Sequence, residues 1–295
     1  MEFDLSQLRA LEAAVSHGTF EAAARMLHVT PSAISQRLRA LEEQTGRVLL
    51  VRSKPIRPTP AGETVLRLAR QIALLTTETG AALGDASAGA GAVRPVTLTV
   101  AVNADSLATW VLPALAPLAG ELCFHLRRED EGRTSDLLRS GEVIAAISSD
   151  ADPVPGCTVR PLGSMRYAPV ATQAFTTRWF PDGATDEALR RAPVVVFDRE
   201  DPLQHRWLER ELGERVDPPS HMIPASTEFA SAVRAGMGWG MLPATQSGAP
   251  DELVELRPGA TLEVPLFWQA ARLRTPALDR LTDAVLTAAV GALYR

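Results

Sequence analysis

The sequence predicts an α/β protein. A compact helical module with a short hairpin is joined by one long helix to a larger module of alternating strands and helices that folds as two lobes. Three observations predict this. Thr, Pro and Gly in capping positions divide the first sixty residues into short helices. From Pro60 an unbroken helical pattern runs to about Leu83. From Pro95 onward, short β-branched runs alternate with helical stretches. The length of 295 residues suits about two domains at ~150 residues each. A composition of 46% apolar and 22% charged residues is that of a globular protein.

Several classes are excluded. No apolar run approaches the ~18 residues of a membrane helix, and Arg9, Glu12 and Glu21 interrupt the N-terminal stretch where an export signal would be apolar. Cys123 and Cys157 cannot build a disulfide framework and fit a reducing compartment. A cytoplasmic protein without membrane contact is expected. The formal charge of −5 is unevenly spread, at +1 over residues 1–90 and −6 over the remainder. Between residues 20 and 57, Arg25, Arg37, Arg39, Arg47, Arg52, Lys54 and Arg57 face only Glu21, Glu42 and Glu43. A basic window in an acidic chain is the footprint of a nucleic-acid-binding module.

Taken in order, Ser6 is positioned to cap a first helix carrying Leu8, Leu11 and Val15, which Gly18 stops. Thr19 caps a second helix, Phe20 to Leu27, and His28-Val29 forms a turn. Thr30 caps a third, with Pro31 at the first position, where its missing N–H costs nothing. Two helices across a short turn form a helix-turn-helix over about residues 19–38. Ser32, Ser35, Gln36, Arg37 and Arg39 lie on the outer face of the third helix, and such side chains pair with base edges and phosphates in a major groove. An extended Val48–Arg52, a turn at Ser53-Lys54-Pro55 and a return through Ile56–Pro58 make a hairpin suited to gripping a phosphate backbone. A small bundle with a solvated polar face fits the same pattern about equally well.

Thr59-Pro60 opens the long helix. Val65, Leu68, Ile72, Leu75, Thr79 and Ala82 form a heptad seam that needs a partner helix. The Ala/Gly/Ser-rich segment from Gly84 to Gly91 reads as a hinge. Beyond it, strands are expected at Val96–Val102, Leu122–Arg127, Val143–Ser148, Ala168–Ala171, Val194–Phe197, Gly240–Leu242 and Leu266–Gln269. Helices are expected at Ser106–Leu118, Thr134–Ser140, Leu203–Leu212, Phe229–Ala235 and Pro276–Leu293, around a largely parallel sheet.

No arrangement favours catalysis. Gly236-Met-Gly-Trp-Gly240 follows a helix and precedes a strand, the reverse of a dinucleotide loop, and reads as a tight turn. There is no G-x-S-x-G, no paired-histidine metal spacing and no C-x-x-C, so neither catalytic residue, metal nor cofactor is expected. Binding is better specified. Asn103-Ala104-Asp105-Ser106 and Ser226-Thr227 stand at helix starts, which hold carboxylates well. Acids gather at the expected strand ends and favour a cationic group.

From Leu5 to Gly62 the chain resembles the winged helix-turn-helix of the LysR-type transcriptional regulators, on the stretch GTFEAAARMLHVTPSAISQRLRALEEQTGRVLLVR followed by RPTPAG. The resemblance implies that Thr30, Ser32, Ser35, Gln36 and Arg37 face double-stranded DNA and that Arg52 and Lys54 lie in the wing. It implies a dimerising long helix and a homodimer or homotetramer that works with RNA polymerase. It also implies a periplasmic-binding-protein-like effector domain. VNADSLATWVLPAL, EDEGRTSDLLRSGEV, APVVVFDRED, STEFA and LLVRSKPIRPT resemble the lysine/arginine-export regulators of that group. This implies lysine or arginine as effector, a basic-amino-acid exporter as target, and Asp105 and Ser106 in the pocket. The lobe topology adds Glu129, Asp130, Ser148, Asp198, Thr227 and Glu228. The expected modules are 1–59, 60–92 and 93–295. Lobe I comprises about 93–162 and 267–295, and lobe II about 163–266. The rival readings are a regulator with another effector and a solute-binding protein.

Overall fold

The computed structural model describes residues 2–51, 53–83, 95–128, 131–246 and 252–295. Helix α1 (Leu5–His17) is capped by Asp4, whose carboxylate accepts the amides of Ser6 and Gln7. The cap is therefore Asp4 rather than Ser6, which lies in the first turn. Gly18 ends α1 at φ 71°, in the left-handed region that glycine adopts without a Cβ penalty. Thr19 and Thr30 accept the amides of Ala22 and Ala33, capping α2 (Phe20–Met26) and α3 (Pro31–Thr45).

The hairpin ladder is shorter than expected, with β1 (Leu50–Val51) paired to β2 (Arg57–Pro58). Its strand is cut back because the Leu49 and Leu50 amides donate to the Glu42 carboxylate at 2.8 and 3.4 Å, and Leu49 turns into the core. Leu8, Leu11, Ile34, Leu38, Leu41 and Leu49 make that core.

Helix α4 (Pro60–Ala82) begins at Thr59, which accepts the Gly62 amide and donates to the Val48 carbonyl. The expected seam is divided. Val65, Leu66 and Ala69 are buried in the N-terminal core, Ile72 packs against it, and Leu74 packs on the C-terminal module. Leu75 and Thr79 remain exposed, and the Ala82 side chain lies outside the described residues. The lower half of the stripe is thus satisfied within the chain. The expected hinge at 84–91 lies outside the described residues.

The C-terminal module is built from β3 (Val96–Val102), α5 (Ala104–Ser106) continuing through a π turn into α6 (Leu112–Leu115), β4 (Leu122–Arg128), α7 (Glu131–Ser140) and β5 (Ala145–Ser148). It continues with β6 (Cys157–Ala171), α8 (Gln173–Trp179), α9 (Asp186–Arg191), β7 (Val194–Val196), α10 (Leu203–Leu212), β8 (Ser220–Met222) and α11 (Ser226–Arg234). Strands β9 (Gly240–Pro243), β10 (Val254–Glu255) and β11 (Leu262–Ala271) precede α12 (Pro276–Ala292).

The main sheet has the order β10-β6-β11-β5-β3-β4, with β9 also on β6. It is mixed, not largely parallel. Strand β3 runs parallel to β4 and β5, but β6 and β11 are long antiparallel strands pairing each other, and β5, β9 and β10 join them antiparallel. Only the ends of β6 and β11 were legible, because Pro161, Gly163, Pro169 and Pro265 interrupt their alternation. The β6–β11 register shifts between Leu266 and Phe267, opposite Gly163 at φ 128°. A Cβ at Gly163 would lie 2.6 Å from the Tyr294 carbonyl oxygen, so the C-terminal segment closes over this shift.

Candidate nucleic-acid interface and ligand cleft

Helix α3 turns Ile34, Leu38 and Leu41 inward and leaves Thr30, Ser32 and Gln36 exposed, with Ser35 and Arg37 half-buried. The Thr30 hydroxyl is engaged at the cap and lies 2.9 Å from the Ser32 hydroxyl. Lys54 is exposed at the hairpin tip and Arg57 on β2, while Arg52 lies outside the described residues. A polar, solvent-facing helix beside a basic hairpin can enter a major groove while the hairpin meets phosphates.

A cleft of about 640 Å³ opens between the carboxyl end of β3 and the 197–206 segment. Asp105, at the start of the helix after β3, accepts the Tyr167 hydroxyl at 2.7 Å and the Ser226 hydroxyl at 2.6 Å. Gln246 Nε2 donates to the same Ser226 oxygen at 2.9 Å. Asn103 Oδ1 and Gln246 Oε1 are buried without a partner among the described residues, leaving acceptor capacity beside Asp105.

Across the cleft, Asp198 accepts the amides of Glu200 and Asp201 at 2.7 and 2.9 Å, and Asp201 accepts the Leu203 amide at 2.9 Å. Burial pushes the Asp201 carboxyl above its ordinary value. The Leu203 and Phe197 amides oppose that rise, and the charges of Asp105 and Asp198 add to it. Among the described residues, Asp105, Asp198, Glu200 and Asp201 meet one lining cation, Arg206. The wall behind them is held by Trp207 of α10, which lies against Trp239 at 5.2 Å and donates to the Ala260 carbonyl.

Of the expected pocket residues, Asp105 and Asp198 line the cleft. Ser106, one residue on, is wholly buried and its hydroxyl has no partner among the described residues. Ser148 is buried beneath the strand ends with its hydroxyl on the Asp150 amide, and Ser149 lines the cleft in its place. Thr227 and Glu228 are exposed on α11; the residue turned inward is Ser226, because the helix starts there and not at Phe229. Glu129 and Asp130 lie outside the described residues. Sequence reasoning missed Tyr167 and Arg206. The period-2 alternation around Tyr167 places it with buried Met165, a signal present in the sequence.

A helix-turn-helix with a wing at one end and an acidic cleft in a separate α/β module at the other define a ligand-responsive DNA-binding protein. Residues 5–63 match the model of the lysR family of bacterial regulatory helix-turn-helix proteins, and residues 92–290 match the LysR substrate binding domain. The chain belongs to the LysR family of transcriptional regulators. It is 43% identical to the transcriptional regulator LysG of Mycobacterium tuberculosis over 296 residues, covering 100% of this chain and 96% of that protein. The crystal structure of ArgP from M. tuberculosis superposes with a TM-score of 0.89 at 43% identity, covering 100% of this chain and 99% of that one. Full-length LysG from Corynebacterium glutamicum with bound effector Arg superposes with a TM-score of 0.82 at 37% identity, covering 99% and 100%. Among the described residues no helix is long and apolar enough to cross a membrane.

Proposed function

We propose that the C-terminal cleft binds a basic amino acid, arginine or lysine, and thereby controls transcription of a gene for a basic-amino-acid exporter. The observation that carries this reading is the cleft's charge: among the described residues, four carboxylates stand against Arg206. Carboxylates held by amides and hydroxyls suit a guanidinium or ammonium, while Arg206 suits an α-carboxylate. The C. glutamicum relative that carries arginine is similar over nearly the whole chain. Asp105, Asp198 and Asp201, with Tyr167 and Ser226, form the proposed ligand site; Glu129 and Asp130 stand just before α7 and are retained in it. The lobes divide at Gly163 and at the Leu266/Phe267 shift.

In this reading Thr30, Ser32, Ser35, Gln36 and Arg37 read or position double-stranded DNA, with Arg52 and Lys54 on the backbone. The exposed upper part of α4, including Leu75 and Thr79, pairs with a second copy to give a homodimer or tetramer. The protein binds and does not catalyse, and it acts beside RNA polymerase in the cytoplasm. A thermal-shift titration of the full chain against the twenty amino acids tests the effector. A ligand at 100 times its Kd adds about 2.7 kcal/mol to unfolding. Stabilisation by arginine or lysine supports the reading; stabilisation by neutral or acidic amino acids alone overturns it.

A further inference from the structure

Helix α7 follows β4 and ends against the linker helix. It begins three residues after Arg128, which ends β4 and donates to the Pro224 carbonyl at 3.3 Å, two residues ahead of Ser226. One short segment of lobe II, Pro224–Ser226, therefore touches both Asp105 and the strand that leads into α7.

At its other end α7 presents carbonyls with no partner inside the helix, the negative end of its dipole. Two arginines of α4 sit there. Arg67 Nη1 donates to the carbonyls of Pro155 at 2.9 Å and Arg139 at 3.4 Å, and Arg70 Nη1 donates to that of Ser140 at 3.0 Å. Gly141 closes α7 at φ 71°, and a Cβ there would lie 3.0 Å from Arg67 Cα, so α4 and the end of α7 are as near as the backbone allows. A third tie has the opposite sign. The Glu78 carboxylate accepts the Ala277 amide at 3.1 Å, placing an anion at the positive end of α12.

Beside these ties a cavity of about 760 Å³ is lined by Glu12, Val15 and Ser16 of α1 and by Thr97 and His125 of the sheet, so α1 is not closely packed on the C-terminal module there. Burial holds the half-buried Arg70 guanidinium below its ordinary value, with Glu142 and Glu12 opposing that shift. Because Leu66 and Ala69 of α4 are buried in the N-terminal core, α4 carries α1–α3 with it.

We propose that Arg67 and Arg70 are positioning residues that tie α7 to the linker helix, so that a change at the cleft moves the DNA-reading helices of the same chain. The proposal rests on the reading of the cleft as a ligand site. A ligand cation that draws Asp105 away from Ser226 shifts the Pro224–Ser226 segment, then Arg128, then α7, and α4 follows through its two arginines. The ligand's differential contact with the two arrangements supplies the bias.

Hydrogen–deuterium exchange of the full chain tests it with two variants that break the tie from opposite sides. Arg67→Ala/Arg70→Ala removes the donors, and Gly141→Ala wedges the helices apart while keeping them. Without ligand, amides in the middle of α4 should exchange about tenfold faster in both variants, the scale of losing charge-assisted hydrogen bonds. Unchanged rates overturn the tie. With L-arginine as probe, wild-type α4 should change its exchange together with the cleft segments. In both variants the change should stay confined to the cleft, with arginine affinity altered by less than about threefold, and Arg70→Lys should restore part of the α4 response. An α4 response of wild-type size in the variants overturns the transmission. If arginine alters nothing in the wild type, it is the ligand reading that fails, and the ligand-free comparison still decides the tie.

Discussion

Asp105, which lines the cleft, and Ser226, 121 positions further along the chain, share a 2.6 Å hydrogen bond. With Tyr167 on its other oxygen, the Asp105 carboxylate accepts from β6 and from the first turn of α11 at once. It is held by hydroxyl donors that a ligand ammonium or guanidinium can replace with charge-assisted bonds. Asp105→Asn removes the charge and puts an amide NH2 where one of its two acceptor oxygens stood. Arginine affinity by calorimetry should fall about tenfold to a hundredfold, the scale of one to two charge-assisted bonds. Affinity within twofold of wild type would remove Asp105 from the ligand site.

Asp201 predicts a pH dependence of defined sign. Its folded carboxyl titrates above the unfolded value because of burial, with Asp105 and Asp198 adding repulsion. Glu200 and Arg206 also line this cleft. Such a group contributes stability while protonated, fully below the unfolded value of about 3.9, and that contribution is lost as pH rises through the folded value. The ionised Asp201 therefore costs the ligand-free protein stability at neutral pH. Asp201→Asn should raise the ligand-free Tm there, by about 2–4 °C per kcal/mol recovered, and the gain should shrink towards about pH 4. The same variant should weaken arginine binding, since a bound cation favours the charged carboxylate. Calorimetric melts at both pH values, with and without arginine, check both signs; a lowered Tm at neutral pH contradicts the assignment.

Gly62 predicts a packing limit. A Cβ on this residue would overlap the Leu49 carbonyl oxygen where α4 crosses the hairpin strand. Gly62→Ala should destabilise the N-terminal core by about 1–3 kcal/mol, the usual range for overpacking. Gly120→Ala, where nothing lies within 4 Å, should change stability by less than about 0.5 kcal/mol. Equal Tm values for the two variants would show that α4 does not approach the hairpin this closely.

What was legible in the sequence follows from where local chemistry decides structure. Thr19, Thr30 and Thr59 each announce a helix that forms at the next residue, because side-chain capping is a matter of two or three neighbouring positions. Ser6 misled because Asp4, two residues earlier, already starts the helix by accepting the Ser6 and Gln7 amides. Long-range pairing left weaker traces. Prolines and Gly163 hid the length of β6 and β11, so the mixed sheet was not visible. In the cleft, Asp105 and Asp198 stand at strand ends that the pattern located. Tyr167 enters only because β6 continues past those prolines, and Ser226 displaces Thr227 and Glu228 because α11 starts three residues earlier than its apolar pattern.

Arg37 and Lys54 separate base reading from phosphate contact. Arg37 is half-buried on α3, next to exposed Gln36, whereas Lys54 is exposed at the hairpin tip. A side chain fixed against its helix can hold a guanidinium on one base pair; a solvated lysine on a turn supplies a point charge to whatever phosphate is near. Arg37→Ala should therefore cost about 1–3 kcal/mol on the preferred site and relax preference at one position. Lys54→Ala should weaken binding evenly across sequences and lower the slope of log K against log salt by about 1. Anisotropy titrations over a salt series, on a footprinted operator fragment and on scrambled DNA, measure both. If Arg37→Ala loses affinity equally on both DNAs while its salt slope drops as that of Lys54→Ala does, Arg37 contacts phosphate, and base reading passes to Gln36 and Ser32.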